Sequence, residues 1–88
     1  MLKTILMWCY NPAQGNDKTY RLTMMEVGKN KFDVVCQYGA RKARQTFHAW
    51  KEGVSKEEAQ RQFDMLLKQK LSSRHGYKVF TESELEAV

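Results

Sequence analysis

Hydrophobic and polar residues alternate along three stretches of the first 50 positions, which is the pattern of β-strands with one buried face, and an earlier stretch has the composition of a strand without the alternation. These stretches are rich in β-branched and aromatic residues and end near Pro, Gly, Asn or clustered charges. The predicted strands are residues 3–10, 18–25, 31–37 and 45–50.

The segments between the predicted strands carry turn-forming residues. Residues 11–17 hold the only Pro and predict a surface loop, and residues 27–30 hold a Gly and an Asn and predict a hairpin turn. Residues 38–44 break the alternation with a Gly and three cations, so we expect a basic loop between the third and fourth strands. The fourth strand is predicted to stop at residues 51–53.

The alternation also assigns side chains to the two faces of each strand. Side chains expected together on buried faces are those of Tyr20, Leu22, Met24, Phe32, Val34 and Cys36. Arg21 falls on the opposite face of its strand, between Thr19 and Thr23. Trp8 and Trp50 are large aromatic residues for which a core position is the default, whereas His48 is expected at the surface.

The pattern changes to a helical one after residue 54. Ser55 and Glu58 have the spacing of a capping box, in which the Ser hydroxyl accepts from the N–H three residues on and the Glu reaches back. The predicted apolar stripe is Ala59, Phe63, Leu66, Leu67 and Leu71, and the predicted wet side is Lys56, Gln60, Gln62, Lys68 and Gln69. The helix is expected to end near residues 72–76, where Lys68, Lys70 and Arg74 suit the negative end of its dipole.

These elements predict an α+β fold, in which an antiparallel sheet of four to five strands carries one long amphipathic helix on one face. Residues 77–80 supply the optional fifth strand. The 88 residues, 42% of them hydrophobic, are enough for one domain, expected to span residues 1–80 and to be followed by an acidic tail over residues 81–88. Met1–Met7 is too short to cross a bilayer and lacks a secretory cleavage pattern, so we expect a cytoplasmic protein that does not associate with membranes.

The charge distribution points to a polyanionic partner or to simple solubility. The chain has 15 basic and 10 acidic residues, a net charge of +5, and three of the acids lie in the last seven positions. Residues 1–80 therefore carry 15 basic against seven acidic side chains, a net charge of +8. A positive field of this size attracts nucleic acid, although a net charge of about 2–8 is also ordinary for a small domain.

The sequence contains no arrangement typical of a metal site or an enzyme. Cys9 and Cys36 are isolated and are expected as buried, reduced thiols. Together with His48 and His75 they lack the short spacings of zinc sites. Because no paired carboxylates, phosphate-binding Gly loop or nucleophile–base pair is present, we expect neither catalysis nor a cofactor.

The predicted basic loop holds the main candidates for binding. Arg41, Lys42 and Arg44 are three cations within four residues, with no acidic residues close by in the sequence, and Arg and Lys both bind phosphate. Tyr38 either stacks on an exposed nucleotide or packs across the sheet. Gly39 either admits a phosphate to the backbone or supplies a positive φ for the turn.

Two cations outside this loop are further candidates. Lys18 and Arg21 extend the same basic patch if the faces of their strand coincide with it, as do Lys29 and Lys31. A solvated loop without a ligand is the alternative interpretation of the whole patch.

In order and spacing, several segments resemble the WGR domain, a small module of poly(ADP-ribose) polymerases and bacterial proteins. The matching segments are residues 16–20, 38–41 and 55–59, with Phe63, Lys70 and the pair Gly76-Tyr77. Tyr38 stands where the signature has Trp, and Ala40 stands where it has Arg, which here follows as Arg41. The resemblance covers about residues 2–80.

The resemblance implies a non-catalytic domain that binds nucleic acid, with DNA more expected than RNA. It implies that the aromatic residue of the signature packs on a terminal sugar or base while basic residues hold phosphates. It also implies a second possibility, because WGR domains contact neighbouring domains within their polymerases. A protein-interaction module that uses the same face is therefore the alternative function.

Overall fold

The segments predicted as strands form the five antiparallel strands of a computed structural model that describes residues 2–72 and 76–79. The strands are β1 (Leu2–Asn11), β2 (Asn16–Gly28), β3 (Lys31–Ala40), β4 (Thr46–Val54) and β5 (Lys78–Val79). A 3₁₀ turn spans Pro12–Gln14, and the helix α1 spans Lys56–Leu71. The strand order is β4-β3-β2-β1-β5, so the predicted fold class is confirmed.

The four long strands all exceed their predicted lengths, and β2 does so most, because it runs over Asn16–Gly28 instead of residues 18–25. β3 continues through Tyr38 and Gly39 to Ala40, so the loop between β3 and β4 contains only residues 41–45. β4 continues through Gly53 to Val54, where the Gly53 N–H donates to the Asp33 carboxylate at 2.8 Å. The β3–β4 pairing contains two register shifts, between Phe32 and Val34 and between Val34 and Val35.

The core lies between α1 and one side of the sheet, which we call the helix face. Strand residues predicted on the buried face do lie there, and Phe63 of α1 packs against them with no exposed surface. The buried cluster includes Met7, Tyr20, Leu22, Met24, Phe32, Val34, Cys36, Ala59, Phe63, Leu66 and Tyr77. Burial of an aliphatic or aromatic side chain contributes about 1.5–3 kcal/mol, so this layer stabilises the fold.

The start of α1 follows the predicted cap only in part. The Ser55 hydroxyl accepts from the Glu58 N–H at 3.2 Å, as predicted. The Glu58 carboxylate does not complete a capping box, because it accepts from Arg61 Nη2 at 2.6 Å and from Gln62 Nε2 at 2.9 Å. Leu71, predicted within the apolar stripe, is 40% exposed at the end of the helix.

The environments of Gln62 and Trp50 are the opposite of those predicted. Gln62 was expected on the wet side of the helix, but it is buried and accepts from Trp50 Nε1 at 2.8 Å. Trp50 was expected in the core, but it is 38% exposed at the outer strand β4. The prediction was wrong because the Gln62 amide has polar partners on both sides, which allows it to be buried.

The side of the sheet opposite α1 is called the open face here. Strand register places on it Leu6 and Trp8 of β1, Thr19 and Arg21 of β2, Gln37 of β3 and Phe47 of β4. Thr19 and Val35 are buried on this face, whereas Phe47 is 66% exposed. Trp8, expected in the core, is only partly buried here.

Both cysteines are buried and form no disulfide, as predicted. No helix within residues 2–72 and 76–79 has the length and apolar character needed to cross a bilayer. The predicted acidic tail, Arg74, His75 and the last residue of the predicted fifth strand, Phe80, lie outside the described residues.

Candidate nucleic-acid interface

Hydrogen bonds of the Gln45 side chain and of the loop backbone hold the β3–β4 loop, residues 41–45, in place. Gln45 Nε2 donates to the Ala40 carbonyl at 2.7 Å, and Gln45 Oε1 accepts from the Thr19 hydroxyl at 3.2 Å. The Ala43 N–H donates to the Ala40 carbonyl at 3.0 Å. The loop backbone is therefore held to the ends of β2 and β3.

Three side chains meet at the base of this loop, and we call them the Asp17 cluster: Trp8, Asp17 and Arg41. Arg41 Nε and Nη2 donate to the two carboxylate oxygens of Asp17 at 2.9 and 2.8 Å. Trp8 Nε1 donates to Asp17 Oδ1 at 2.7 Å, and the Arg41 guanidinium lies 5.5 Å from the Trp8 ring centroid. This bidentate geometry is the strong form of an ion pair.

The charges of the Asp17 cluster stabilise each other. The hydrogen bond from Arg41 is the main reason that the pKa of Asp17 lies below its usual value, and the Trp8 bond acts in the same direction while burial opposes both. The same bond raises the pKa of the Arg41 guanidinium. Asp17 and Arg41 are therefore both charged at neutral pH.

One of the three loop cations, Arg41, has an acidic partner, although none lies close to it in the sequence. Its partner is 24 positions away in the sequence, but the pairing of Lys18 with Ala40 brings β2 and β3 together beside it. The Arg41 N–H also donates to the Asp17 carbonyl at 2.9 Å. Arg41 thus holds the loop to β2, and its contribution to ligand binding stays a prediction.

Lys42 and Arg44 differ from Arg41 in their surroundings. Both side chains are exposed, and neither forms an ion pair with another residue in the ranges 2–72 and 76–79. The charge of Lys42 also helps to lower the pKa of Asp17, so its ammonium adds to the positive field at the base of the loop. These two cations remain available to an anion.

Gly39 is required by the backbone of the loop. Its φ is +148°, a conformation that residues with a side chain rarely adopt. A Cβ at this position would lie 3.5 Å from the Arg44 carbonyl oxygen and 3.5 Å from Gln45 Nε2. The chain itself therefore occupies the space beside Gly39, which supports the turn interpretation rather than an approach by phosphate.

A pocket of about 460 Å³ opens on the helix face between the end of α1 and strands β3 and β4. Its lining is aromatic on most sides, with one amide and one ammonium from the last turns of α1. The lining residues are Tyr20, Tyr38, His48, Trp50, Leu66, Gln69, Lys70 and Tyr77. The pocket is adjacent to the loop, because Tyr38 and His48 belong to the two strands that the loop connects.

Tyr38 packs across the sheet and leaves part of its ring exposed. Its ring stacks on that of Tyr20, with centroids 5.6 Å apart and planes inclined by 14°. It is also 37% exposed, so part of the ring faces the pocket and solvent. Packing across the sheet is therefore established, and stacking on a nucleotide stays a prediction.

The cations beside the pocket lie over aromatic rings. Lys70 Nζ is 4.8 Å from the Tyr20 ring centroid, and Lys18 Nζ is 5.8 Å from that of Tyr77. Burial raises the pKa of both phenols, and in Tyr20 a hydrogen bond with Cys36 adds to the effect. The phenols therefore stay neutral, and the field of the pocket is positive.

The two additional cations predicted for the patch lie on different faces. Lys18 is on the helix face beside Tyr77, whereas Arg21 is on the open face between Leu6 and Gln37. The condition for a single patch, that their faces coincide, is therefore not met, because an odd separation along a strand places side chains on opposite faces. Lys29 and Lys31 are at the β2–β3 turn, the far end of the sheet from the loop.

Sequence reasoning missed most of the pocket. Trp50 was predicted in the core and His48 at the surface. The position of Lys70 was attributed to the negative end of the helix dipole. The lining of a pocket depends on how α1 crosses the sheet, which periodicity does not reveal. The one available signal was the resemblance itself, whose closing segment contains Lys70 and Tyr77.

No group of three His, Cys, Asp or Glu side chains that could hold a metal ion occurs in the described parts of the chain. Comparisons with protein-family models, with curated proteins and with solved structures gave no match. The resemblance to WGR domains accordingly depends on the motifs alone.

Proposed function

We propose that this chain is a non-catalytic nucleic-acid-binding module that binds DNA through the β3–β4 loop and the adjacent pocket. The observation that carries the proposal is that an aromatic pocket containing an ammonium group opens beside two exposed cations, Lys42 and Arg44. The two unpaired thiols support a cytoplasmic setting, where glutathione keeps cysteines reduced.

Phosphate contacts supply most of the affinity in this proposal. Lys42 and Arg44 stand at the end of the sheet, and Lys18 and Lys70 flank the pocket on the helix face. A chain of phosphates that passes the loop meets both pairs of cations. Such contacts are independent of sequence and weaken as salt rises, because binding releases condensed counterions.

The pocket adds a contact with an unpaired base or a terminal sugar. Its volume of about 460 Å³ lies within the range of about 300–1,000 Å³ known for ligand pockets. Tyr38 and Trp50, 37% and 38% exposed, supply rings for stacking. Bases inside an intact duplex are already stacked, so this contact favours ends, gaps and single strands.

Removing the two exposed loop cations tests the phosphate contacts. We expect Lys42→Ala with Arg44→Ala to weaken binding of a labelled gapped duplex and to reduce the slope of log affinity against log salt by about 2. The matched control is Lys29→Ala with Lys31→Ala, which removes the same charge from the far end of the sheet. Equal effects of the two double variants would show that only net charge matters and would refute the assignment to the loop.

Substitution of Tyr38 tests the pocket. Tyr38→Trp keeps an aromatic ring and is expected to retain binding, whereas Tyr38→Ala is expected to lose a stacking contact of about 1–3 kcal/mol. Circular dichroism verifies that both variants are folded. If Tyr38→Ala binds a gapped duplex as tightly as the parent chain, the pocket does not receive a nucleotide.

A protein-interaction module that uses the same face is the second candidate. It is favoured by Arg41, the residue nearest to the expected position of the motif Arg, which is engaged by Asp17 rather than facing the pocket. Salt separates the two functions. A protein interface centred on Tyr38 and Trp50 persists at ionic strengths that release phosphate contacts.

A further inference from the structure

The open face carries exposed aromatic side chains at two of its ends and mostly polar side chains between them. Trp8 and Tyr10 project from β1, and Phe47 projects from β4, three strands away. Phe47 faces Gln37, Arg21 and Leu6 across β3, β2 and β1, whereas Trp8 and Tyr10 lie two and four residues further along β1, beside Thr19 and Asp17. With neighbouring strands about 4.8 Å apart and a rise of about 3.4 Å per residue, Phe47 lies about 16 Å from Trp8 and about 20 Å from Tyr10, so the aromatic rings stand at diagonally opposite ends of a shallow trough.

The aromatic rings at the ends of this trough are accessible. Phe47 is 66% exposed and Tyr10 is 48% exposed. Tyr10 packs on Trp8, with ring centroids 4.9 Å apart, and Trp8 is in turn fixed by its bond to Asp17. The Tyr10 ring is therefore held in place beside the trough, which lowers the entropy that a ligand must remove on stacking.

The charges on this face favour a negatively charged ligand. The two acidic side chains at its ends are already engaged, Asp17 by Arg41 and Asp33 by the Gly53 N–H. Lys78 of β5 pairs with Trp8 and is exposed beside it, and Lys42 is exposed at the end of the trough. A ligand on this face meets positive charge without competing carboxylates among these residues.

We propose that the open face binds single-stranded nucleic acid, whose bases stack on Phe47 and Tyr10 while its phosphates contact Lys78 and Lys42. Aromatic rings on a sheet surface with cations at the margin suit unstacked bases, because every base has a planar face. A duplex offers no such faces along its length. This site is on the opposite side of the sheet from the pocket proposed above and shares only Lys42 with it, so variants of Phe47 and of Tyr38 test the two sites separately.

Variants of Phe47 distinguish stacking from general apolar contact. We expect Phe47→Leu to weaken binding of a labelled oligothymidylate of about 12 nucleotides by about tenfold, a size typical of one base–aromatic stack. Phe47→Tyr keeps the planar ring and is expected to bind as the parent chain does. Leu71→Ala is the matched control, because Leu71 is exposed at the end of α1, away from the open face.

The two tryptophans report on the two faces. Trp50→Phe leaves Trp8 as the only indole, and its fluorescence is expected to change on titration with the oligothymidylate. Trp8→Phe leaves Trp50, which reports on the pocket. Circular dichroism shows that each variant is folded before titration, and anisotropy of the labelled strand gives the affinity without relying on either indole.

The possible results separate this proposal from the function of the loop. Loss of binding in Phe47→Leu together with a Trp8 response supports the open-face site, whether or not Lys42→Ala with Arg44→Ala affects a gapped duplex. Parent-like affinity in Phe47→Leu, or a bound strand that leaves Trp8 fluorescence unchanged, overturns it. Failure of the parent chain to bind the oligothymidylate at low salt also overturns it and leaves the face to a protein partner.

Discussion

Gly39 is the position at which one methyl group most sharply tests the loop geometry. In Gly39→Ala the added Cβ would lie 3.5 Å from its nearest neighbours, which is ordinary van der Waals contact. Steric overlap is therefore not the expected source of any effect. The expected source is the φ of +148°, which an alanine adopts only with strain.

The magnitude of the Gly39→Ala effect follows from two opposing contributions. A residue held in a sparsely populated backbone region costs about 1–3 kcal/mol. The smaller conformational freedom of the unfolded alanine chain returns about 0.4–1 kcal/mol. The expected net loss is about 1.5 kcal/mol of unfolding free energy, which for a domain of this size lowers the Tm by about 6–12 °C.

Thermal unfolding followed by circular dichroism measures this change. Gly28→Ala is the matched control, because Gly28 lies in the same sheet without a positive φ and its added Cβ would meet only the Lys31 side chain, at 3.6 Å. We expect its Tm to stay close to that of the parent chain. If Gly39→Ala also unfolds at the parent temperature, the loop tolerates another backbone path and the argument from φ is wrong.

Two further predictions concern α1 and acid stability. Gln62→Met removes the acceptor of the Trp50 indole N–H and is expected to lower the free energy of unfolding, measured by chemical denaturation, by about 1 kcal/mol. The control Gln60→Met removes an exposed hydrogen bond and is expected to change it by less than about 0.5 kcal/mol. Equal losses in the two variants would contradict the burial argument. Hydrogen bonds from Arg61 and Gln62 lower the pKa of Glu58 from 4.5 to about 2. The stabilisation of the folded state by the ionised Glu58 carboxylate is therefore complete above the pKa of 4.5 and is lost as the pH falls towards the folded-state pKa of about 2. Glu58→Gln is therefore expected to flatten the fall of Tm in acid, and an unchanged pH profile would refute this.

Much of the fold follows from the alternation because alternation directly reports which side chains are buried. Leu22, Met24 and Val34 have no exposed surface, and each was assigned to the buried face from sequence spacing alone. The helix start was predicted for a similar reason, since the Ser55 cap is a local interaction over three residues. Local periodicity and local hydrogen bonds are visible in one sequence.

The errors occur where a residue's environment depends on distant partners. Gln62 is polar and was placed in solvent, yet the indole of Trp50 and the Glu58 carboxylate provide hydrogen bonds that permit burial. The extension of β3 to Ala40 was missed because Gly and basic residues usually end strands, whereas here the paired strand β2 continues beside them. The sequence lacks the cross-strand information that decides both cases.

The candidate site shows the same limit. Arg41, Lys42 and Arg44 look equivalent in the sequence, but of the three only Arg41 forms an ion pair with Asp17 across the β2–β3 pairing. Register is set by the whole sheet, so no local pattern distinguishes a cation that fixes the loop from one that is open to a ligand. The basic loop was predicted from the sequence, but the structure was needed to show which of its cations is paired with a carboxylate and which are exposed.

The register shifts between β3 and β4 have a consequence for behaviour at high concentration. β4 is the outermost strand on its side of the sheet, and the unpaired backbone groups of an edge strand can hydrogen-bond to a strand of a neighbouring molecule. Two irregularities within nine residues, together with the charged pair Lys51 and Glu52, interrupt the evenly spaced donors and acceptors that an incoming strand needs. The register shifts therefore disfavour aggregation through the β4 edge.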